Sequence, residues 1–217
     1  MKKNKTELVF ILDKSGSMAG LEADTIGGYN AMLAKQQKAE GEAIVTTAVF
    51  NHHYDLLHDR INVIGISPIT EDDYEVGGTT ALLDAIGFTI QKIVNVQKRT
   101  SEEEQADKVL FVITTDGMEN ASHEFTADKI KKMVQHQKDK YSWEFLFLGA
   151  NIDAVTTAAR FGIEEDFAVD YHADEVGTQL NYEAVNEAVS NLRSGKKIER
   201  NWKEDIERDY NRRMRKE

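Results

Sequence analysis

Short apolar runs closed by polar loops alternate along this chain with stretches whose apolar residues recur at helical spacing. Residues 8–12 form a continuous apolar run that stops at Asp13, the pattern of a strand buried on both faces. A loop rich in Ser and Gly follows over 13–20. Asp24 and Thr25 then stand where they can cap a helix carrying Ile26, Tyr29, Met32 and Leu33, which Gly41 ends. Residues 43–50 are apolar and β-branched and predict a second strand. Residues 54–63 predict a third, joined to it by Asn51-His52-His53. So short a link favours an antiparallel hairpin, because a parallel crossover takes a dozen residues or more.

After the tight loop at Gly77-Gly78, residues 80–96 carry Leu83, Ile86, Ile90, Ile93 and Val94 on one helical face. A polar surface connection spans 100–107. The strongest strand signal is 109–114, which ends in Thr115-Asp116-Gly117. Beyond it the pattern predicts a helix over 126–139, a strand over 143–148 and a helix over 152–161 closed by Gly162. A short strand over 167–170 and a helix over 174–192 complete the domain. Strands alternating with helices predict an α/β fold: a doubly wound, mostly parallel six-stranded sheet with one antiparallel edge strand and helices on both faces. In such sheets ligands bind beyond the carboxyl ends of the strands, at the topological switch point. Asp13 and Asp116 each close a predicted strand at that end.

Past residue 192 the pattern changes. Ile198, Trp202, Ile206, Tyr210 and Met214 recur every fourth residue and form an apolar stripe on a charged helix. The chain therefore divides into a domain over 1–192 and a charged amphipathic helical tail over 193–217. The tail is expected to pack on its own domain; a docking helix for another chain is the alternative. Charge follows the same division. Net charge is −11, but residues 193–217 hold ten Lys/Arg and six Asp/Glu, while the other 192 residues hold 17 basic and 32 acidic. An acidic body disfavours nucleic acid, whose binding rests on neutralising phosphates. No apolar run approaches membrane-spanning length, and the apolar stretch behind Met1-Lys2-Lys3 is cut short by Asp13. With no cysteine, disulfides and thiolate metal sites are excluded. The expected location is the cytoplasm.

The candidate chemistry lies in three loops. Asp13, Ser15 and Ser17 alternate directly after a buried strand, so their oxygens can converge on one point. Thr79 and Thr80 follow two glycines at the start of a helix. Asp116 ends a strand and precedes Gly117. Three hydroxyls and two carboxylates, with water completing the shell, suit Mg²⁺ (or Mn²⁺), a hard ion that prefers oxygen ligands. Two carboxylates only neutralise a divalent ion, and hydroxyl ligands leave it electrophilic, ready to accept a carboxylate from outside.

Asp13-x-Ser15-x-Ser17, Gly78-x-Thr80 and Thr115-Asp116-Gly117 together resemble the metal-ion-dependent adhesion motif of von Willebrand factor type A (VWA) domains, complete and in order. The chain is also similar to compact stand-alone bacterial VWA proteins. The resemblance covers residues from about 6 to 170 and does not reach the tail. It implies direct coordination of the metal by Ser15, Ser17 and Thr80, with Asp13 and Asp116 close by, partly through water. It favours Thr80 over Thr79 from the spacing to Ala85 and Ile86. Thr79, Glu119, Asn120, Asn151 and Asp153 are expected at the rim, with Asn120 holding loop backbone and Asp153 also placed to cap its helix.

Other chemistries fit less well. Lys14-Ser15 lacks the preceding glycines of a phosphate-binding loop, and Gly16-Ser17 lacks the first glycine of a nucleophile elbow. His52 and His53 fall in the hairpin link. The expected function is a metal-dependent protein-binding module, not an enzyme, whose unknown partner presents Asp or Glu. The alternatives are a Mg²⁺-dependent phosphatase or phosphotransferase using Asp13, for which a general acid is missing, and an assembly protein acting through its C-terminal helix.

Overall fold

The computed structural model describes residues 5–215; the outermost positions of the two expected segments, 1–4 and 216–217, lie outside the described residues. Six strands, β1 (Lys5–Asp13), β2 (Glu42–Phe50), β3 (Tyr54–Asn62), β4 (Lys108–Thr115), β5 (Glu144–Ala150) and β6 (Ala168–Tyr171), form one sheet in the order β3-β2-β1-β4-β5-β6. All neighbours are parallel except β2 and β3, which pair antiparallel as expected from the short link. The chain winds from β1 to one side of the sheet and returns on the other side at β4. The switch point therefore falls between β1 and β4, whose carboxyl ends carry Asp13 and Asp116.

Burial on both sides follows the pleat. Along β1, Leu8, Phe10 and Leu12 enter one core while Val9 and Ile11 enter the other. Leu110 and Val112 of β4, with Leu146 and Leu148 of β5, join the first; Val109, Phe111, Ile113, Phe145 and Phe147 join the second. Helices α1 (Glu22–Gln37) and α5 (Glu175–Arg193) cover the first face. Helices α2 (Leu82–Arg99), α3 (Ala127–Tyr141) and α4 (Ala154–Arg160) cover the second. Among the described residues, no helix is long and apolar enough to cross a membrane.

Two helix starts differ from expectation. Helix α1 begins at Glu22 rather than after Asp24 and Thr25, and Leu21 occupies its cap position without a side-chain cap. Met18 and Leu21 are buried, so apolar anchoring sets the entry and leaves Asp24 in the first turn, where it complements the helix dipole. Helix α2 begins at Leu82, two residues later than the expected Thr80. Its first amides are capped from another loop: Glu119 accepts from the Leu83 N–H at 2.9 Å and Ser122 Oγ from the Asp84 N–H at 3.0 Å. Thr80 is thereby released from capping. Helix α5 is capped by Asp174, which accepts from Gly177 N–H at 2.8 Å.

The tail packs on the domain. Ile198, Trp202 and Ile206 are buried in the same core as α1 and α5. The expected single stripe is broken, because a short 3₁₀ turn over Arg200–Lys203 precedes the last helix, α6 (Glu204–Met214), and Met214 at the end is exposed. Polar bonds fix this arrangement. Trp202 Nε1 donates to Asp166 O at 2.9 Å, and Lys203 Nζ donates to the carbonyls of Glu165 and Ala168 at 2.8 Å each. The ring of Tyr210 stacks on His172 just beyond β6. Three arginines of the tail are matched within α6 or to the α5 cap: Arg208 meets Glu204 and Asp205, Arg212 meets Asp209, and Arg213 meets Asp209 and Asp174. Arg193, at the junction, is 2% exposed and donates to the carbonyls of Gln36, Ala39 and Gly41 at the end of α1.

Truncation of Trp202 tests this packing. Trp202→Ala removes a buried ring and its hydrogen bond and is expected to lower unfolding free energy by about 3–5 kcal/mol, measured by urea denaturation. A loss below about 1 kcal/mol would mean that the tail does not belong to the folding unit.

Candidate metal centre

Asp13 and Asp116 reach the same place because β1 and β4 are adjacent and in register, with Leu12 opposite Thr114. Each carboxylate is 1% exposed. Asp13 is fully engaged: Oδ1 accepts from Ser15 N–H at 2.7 Å and Oδ2 from the Thr115 hydroxyl at 2.6 Å. Asp116 is half engaged: Oδ1 accepts from the Ser17 hydroxyl at 2.5 Å, while Oδ2 is buried with no hydrogen-bond partner among the described residues. An unsatisfied buried carboxylate oxygen is costly. Burial raises the pKa of both carboxyls above the ordinary carboxylate value, and at Asp13 the nearby charge of Asp116 adds to it.

Three hydroxyls close on the same spot. Ser15 Oγ and Ser17 Oγ lie 3.2 Å apart. Gly117 locates the third. A Cβ placed on it would lie 2.9 Å from Ser17 Oγ, 3.1 Å from Thr80 Oγ1 and 3.7 Å from Ser15 Oγ. The absence of a side chain at 117 thus keeps open the space that the hydroxyls surround. Thr80 is 4% exposed, whereas Thr79 is exposed, so the structure brings the former into the cluster and leaves the latter at the surface. Among the described residues, no group of three or more His, Asp, Glu or Cys side chains could hold a metal ion. The cluster has two carboxylates and draws its remaining oxygens from hydroxyls. That donor set fits a hard divalent cation such as Mg²⁺ or Mn²⁺: all donors are oxygen, the charge is balanced, and Asp116 Oδ2 lacks a positive partner.

The loops bearing these side chains are tied together by backbone. Gly16 N–H donates to Gly78 O at 3.0 Å, and Gly77 N–H to Lys14 O at 2.9 Å. Gly78 has φ +78°, and a Cβ there would meet His52 Nδ1 at 2.2 Å, so this turn requires glycine. His52 consequently walls the glycine loop, and its ring packs on His53. Asn51 bridges three segments: its Nδ2 donates to Gly77 O at 2.7 Å, its Oδ1 accepts from His53 N–H at 2.8 Å, and its carbonyl accepts from Ala81 N–H at 2.9 Å. The Tyr74 hydroxyl donates to the carbonyl of Asp13 from below.

The expected rim residues divide. Asn120 holds backbone, accepting from Thr80 N–H at 2.9 Å and donating its own N–H to Thr80 O at 3.0 Å. Glu119 caps α2 and also accepts from Ala121 and Ser122 N–H. Asp153 caps α4, accepting from Thr156 N–H at 2.8 Å. Asn151 is exposed with a left-handed backbone, φ 54°. No hydrogen bond among the described residues links Asn151 or Asp153 to the five-residue cluster. Sequence reasoning missed Tyr74 and Asp84 and gave no supporting role to Asn51 or Thr115, though it named both. Thr115 and Asn51 lie at strand ends on the functional side, a signal that was available. Asp84, whose carboxylate accepts from the amides of His123, Glu124 and Phe125 at 2.8–2.9 Å, reads in sequence only as a first-turn acid. Tyr74 stands in a polar stretch and carries no periodic signal.

No model of a known protein family matches the chain, and no curated protein is similar to it in sequence. Solved structures are similar in fold. Proximal thread matrix protein 1 from the mussel byssus, solved with zinc in its MIDAS motif, superposes with TM-score 0.58 at 12% identity over 86% of this chain and 46% of that one. A von Willebrand factor type A protein from Catenulispora acidiphila gives 0.56 at 11% over 87% of this chain and 42% of its own. Manganese-loaded TRAP protein from Plasmodium vivax gives 0.55 at 16% over 82% and 72%. The chain spans about half the length of the mussel protein it matches (46%). From the strand order, the switch-point site and these likenesses, the chain has the von Willebrand factor type A fold.

Proposed function

We propose that this domain is a metal-dependent protein-binding module, in which one divalent cation held by Ser15, Ser17 and Thr80, with Asp13 and Asp116 beside it, captures an acidic side chain of a partner. The observation that carries the reading is the buried, unpartnered Oδ2 of Asp116 beside hydroxyls converging over Gly117. A cation at this place satisfies the orphan oxygen and offsets the repulsion between the two carboxylates. Neutral hydroxyl ligands leave its positive charge only balanced, so an external carboxylate is attracted rather than repelled. Mg²⁺ is the ion we assign, with Mn²⁺ accepted by the same donors. Exposed Met118, next to the site, offers an apolar contact for a partner surface. The zinc and manganese found in two proteins of the same fold support the assignment of a cation here. Asp13 is poorly disposed to act as a phosphoryl-accepting nucleophile, because both its oxygens already accept hydrogen bonds.

Three measurements test the reading. Mg²⁺ titration by calorimetry or thermal shift is expected to show one saturable site. In Asp116→Asn and in Gly117→Ala, whose new methyl crowds Ser17 and Thr80, metal affinity is expected to fall at least about tenfold with the fold retained; unchanged affinity in both would remove the site assignment.

The stabilisation conferred by metal is also expected to depend on pH. Raised folded-state pKa values at Asp13 and Asp116 mean that the metal-free fold gains from these groups at acid pH and loses that gain as pH rises through their folded-state values. The metal requires them deprotonated. The Tm increase on adding Mg²⁺ should therefore be larger at about pH 7.5 than at about pH 5, and the opposite order would contradict the burial argument.

Affinity capture from lysate with wild type, wild type plus chelator and Asp13→Ala tests partner binding. A partner retained by the metal-loaded protein alone is expected, and equal recovery in all three arms would sink the module hypothesis.

A further inference from the structure

His58, in the edge strand β3, is 8% exposed, and its Nδ1 lies 2.9 Å from Thr47 Oγ1 on the neighbouring β2. The Thr47 hydroxyl also meets the hydroxyl of Tyr29 on α1. Thr47 and Tyr29 are fully buried. The ring has a second hydrogen-bond partner in the backbone of Ser67, which lies in the connection over 63–76 between β3 and the glycine loop of the metal centre. Val63, Ile66, Ile69 and Tyr74 anchor that connection in the first core. Asn30 of α1 exchanges two hydrogen bonds with the backbone of Ile69, at 2.8 and 2.9 Å, and Gln37 Nε2 donates to Ile66 O at 3.0 Å. At its far end the Tyr74 hydroxyl donates to the carbonyl of Asp13. Among these ties only His58 can change charge between about pH 7.5 and about pH 5.

The hydrogen-bond chain is compatible with a neutral ring and not with a charged one. A neutral imidazole offers one donor and one acceptor, and a hydroxyl has a single proton. The ring donates to the backbone of Ser67, which assigns Nδ1 as the acceptor. Burial raises the pKa of Tyr29, so its proton stays in place. The order then runs from Tyr29 O–H to Thr47 Oγ1 and from Thr47 O–H to His58 Nδ1. A second proton on the ring lands on Nδ1 and faces Thr47, whose own proton loses its acceptor in a place closed to water. Burial accordingly holds the His58 pKa below the ordinary histidine value, against the pull of Ser67 and of the Asp73 carboxylate. Asp73 is the charged group that faces the ring from the connection, and its Oδ2 already accepts from the Thr70 N–H and hydroxyl at 2.8 Å each. Tyr29 is the titratable group that faces it from α1, through Thr47.

We propose that His58 is an acid-sensitive latch: protonation breaks the Tyr29–Thr47–His58 chain, and the ring leaves across the free edge of β3 and releases Ser67, loosening the connection over 63–76. Through Tyr74 the loosening reaches the backbone of Asp13. Its consequence for metal and partner retention rests on the proposed function, whereas the latch itself does not. The neutral ring contributes stability that is present above the unfolded-state value and lost as pH falls toward the lower folded-state one. That sign is opposite to the one set by Asp13 and Asp116, so the latch is read residue by residue rather than from a global melting curve.

The measurements use the whole chain in chelator, which separates them from the metal site. NMR of the histidine rings is expected to show His58 titrating below about 6.5. The amides of Ile66, Ile69 and Tyr74 are each hydrogen-bonded. Hydrogen exchange, corrected for the intrinsic rate, is expected to show them losing protection at least about tenfold, relative to the amides of α3, between about pH 7.5 and about pH 5. His58→Asn, whose Oδ1 replaces the Nδ1 acceptor and takes up no proton, and His58→Phe should each flatten that dependence, whatever their baseline stability. A His58 pKa at or above about 6.5 overturns the proposal. So does wild-type protection that is equal at the two pH values, and so does a loss that either variant reproduces. The ring titration and wild-type exchange need no variant, and none of these outcomes changes if the metal reading fails.

Discussion

Two carboxylates buried side by side at the ends of adjacent parallel strands are the constraint around which this domain is built. Asp13 and Asp116 are each almost completely removed from solvent, yet neither faces a basic residue in the hydrogen-bond network that surrounds them. Desolvation and mutual repulsion both oppose their ionisation. The protein tolerates this through hydroxyl and amide donors on Asp13 and a hydroxyl on one side of Asp116. The remaining oxygen has no partner among the described residues, and the proposed divalent cation would complete it. The same arrangement explains why the surrounding loops are so heavily tied. Three chain segments must hold their oxygens within ångströms of one another, and Asn51, Tyr74, Glu119 and Asn120 all spend their polar atoms on backbone that carries the cluster.

The sheet supplies the coarse geometry and the loops the fine. Register between β1 and β4 brings the two aspartates to one level. Glycine at 117 and at 78 then decides how closely the hydroxyls and the hairpin link approach, since a methyl group at either position collides with the atoms that meet there. The cluster reaches the surface at one side: Ser17 and Met118 are exposed while Asp13, Ser15, Thr80 and Asp116 are buried.

At the other end of the chain, the tail is an integral part of one of the two cores. Trp202 and Ile206 add to the layer formed by α1 and α5, and Lys203 neutralises carbonyl dipoles next to β6. Its pairing of Arg213 with Asp174, the cap of α5, links the last helix to the start of the preceding one. Three of the ten basic residues of the tail, Arg208, Arg212 and Arg213, meet acids three or four residues away on the same helix, an interaction visible only as i, i+3 and i, i+4 spacing once the helix phase is known.

The fold class was legible from sequence because it rests on local, periodic signals, whereas the five candidate oxygens stood out through strand-end placement and the motif they resemble. Uninterrupted apolar runs mark strands buried on both faces, helical spacing marks the layers, and an oxygen-bearing side chain directly after a strand marks the functional edge. Boundaries set by distant partners were not legible. The sequence placed Thr80 at the start of α2, but the amides there are capped by Glu119 and Ser122 from a loop some forty residues away, which no local pattern records. Nor could it place the orphan oxygen of Asp116. The sequence by itself determined which residues alternate, which face inward and which chemistries are present. Tertiary structure alone decided which polar atoms find partners and which do not, because satisfaction of a buried group depends on segments that meet only when the chain is folded.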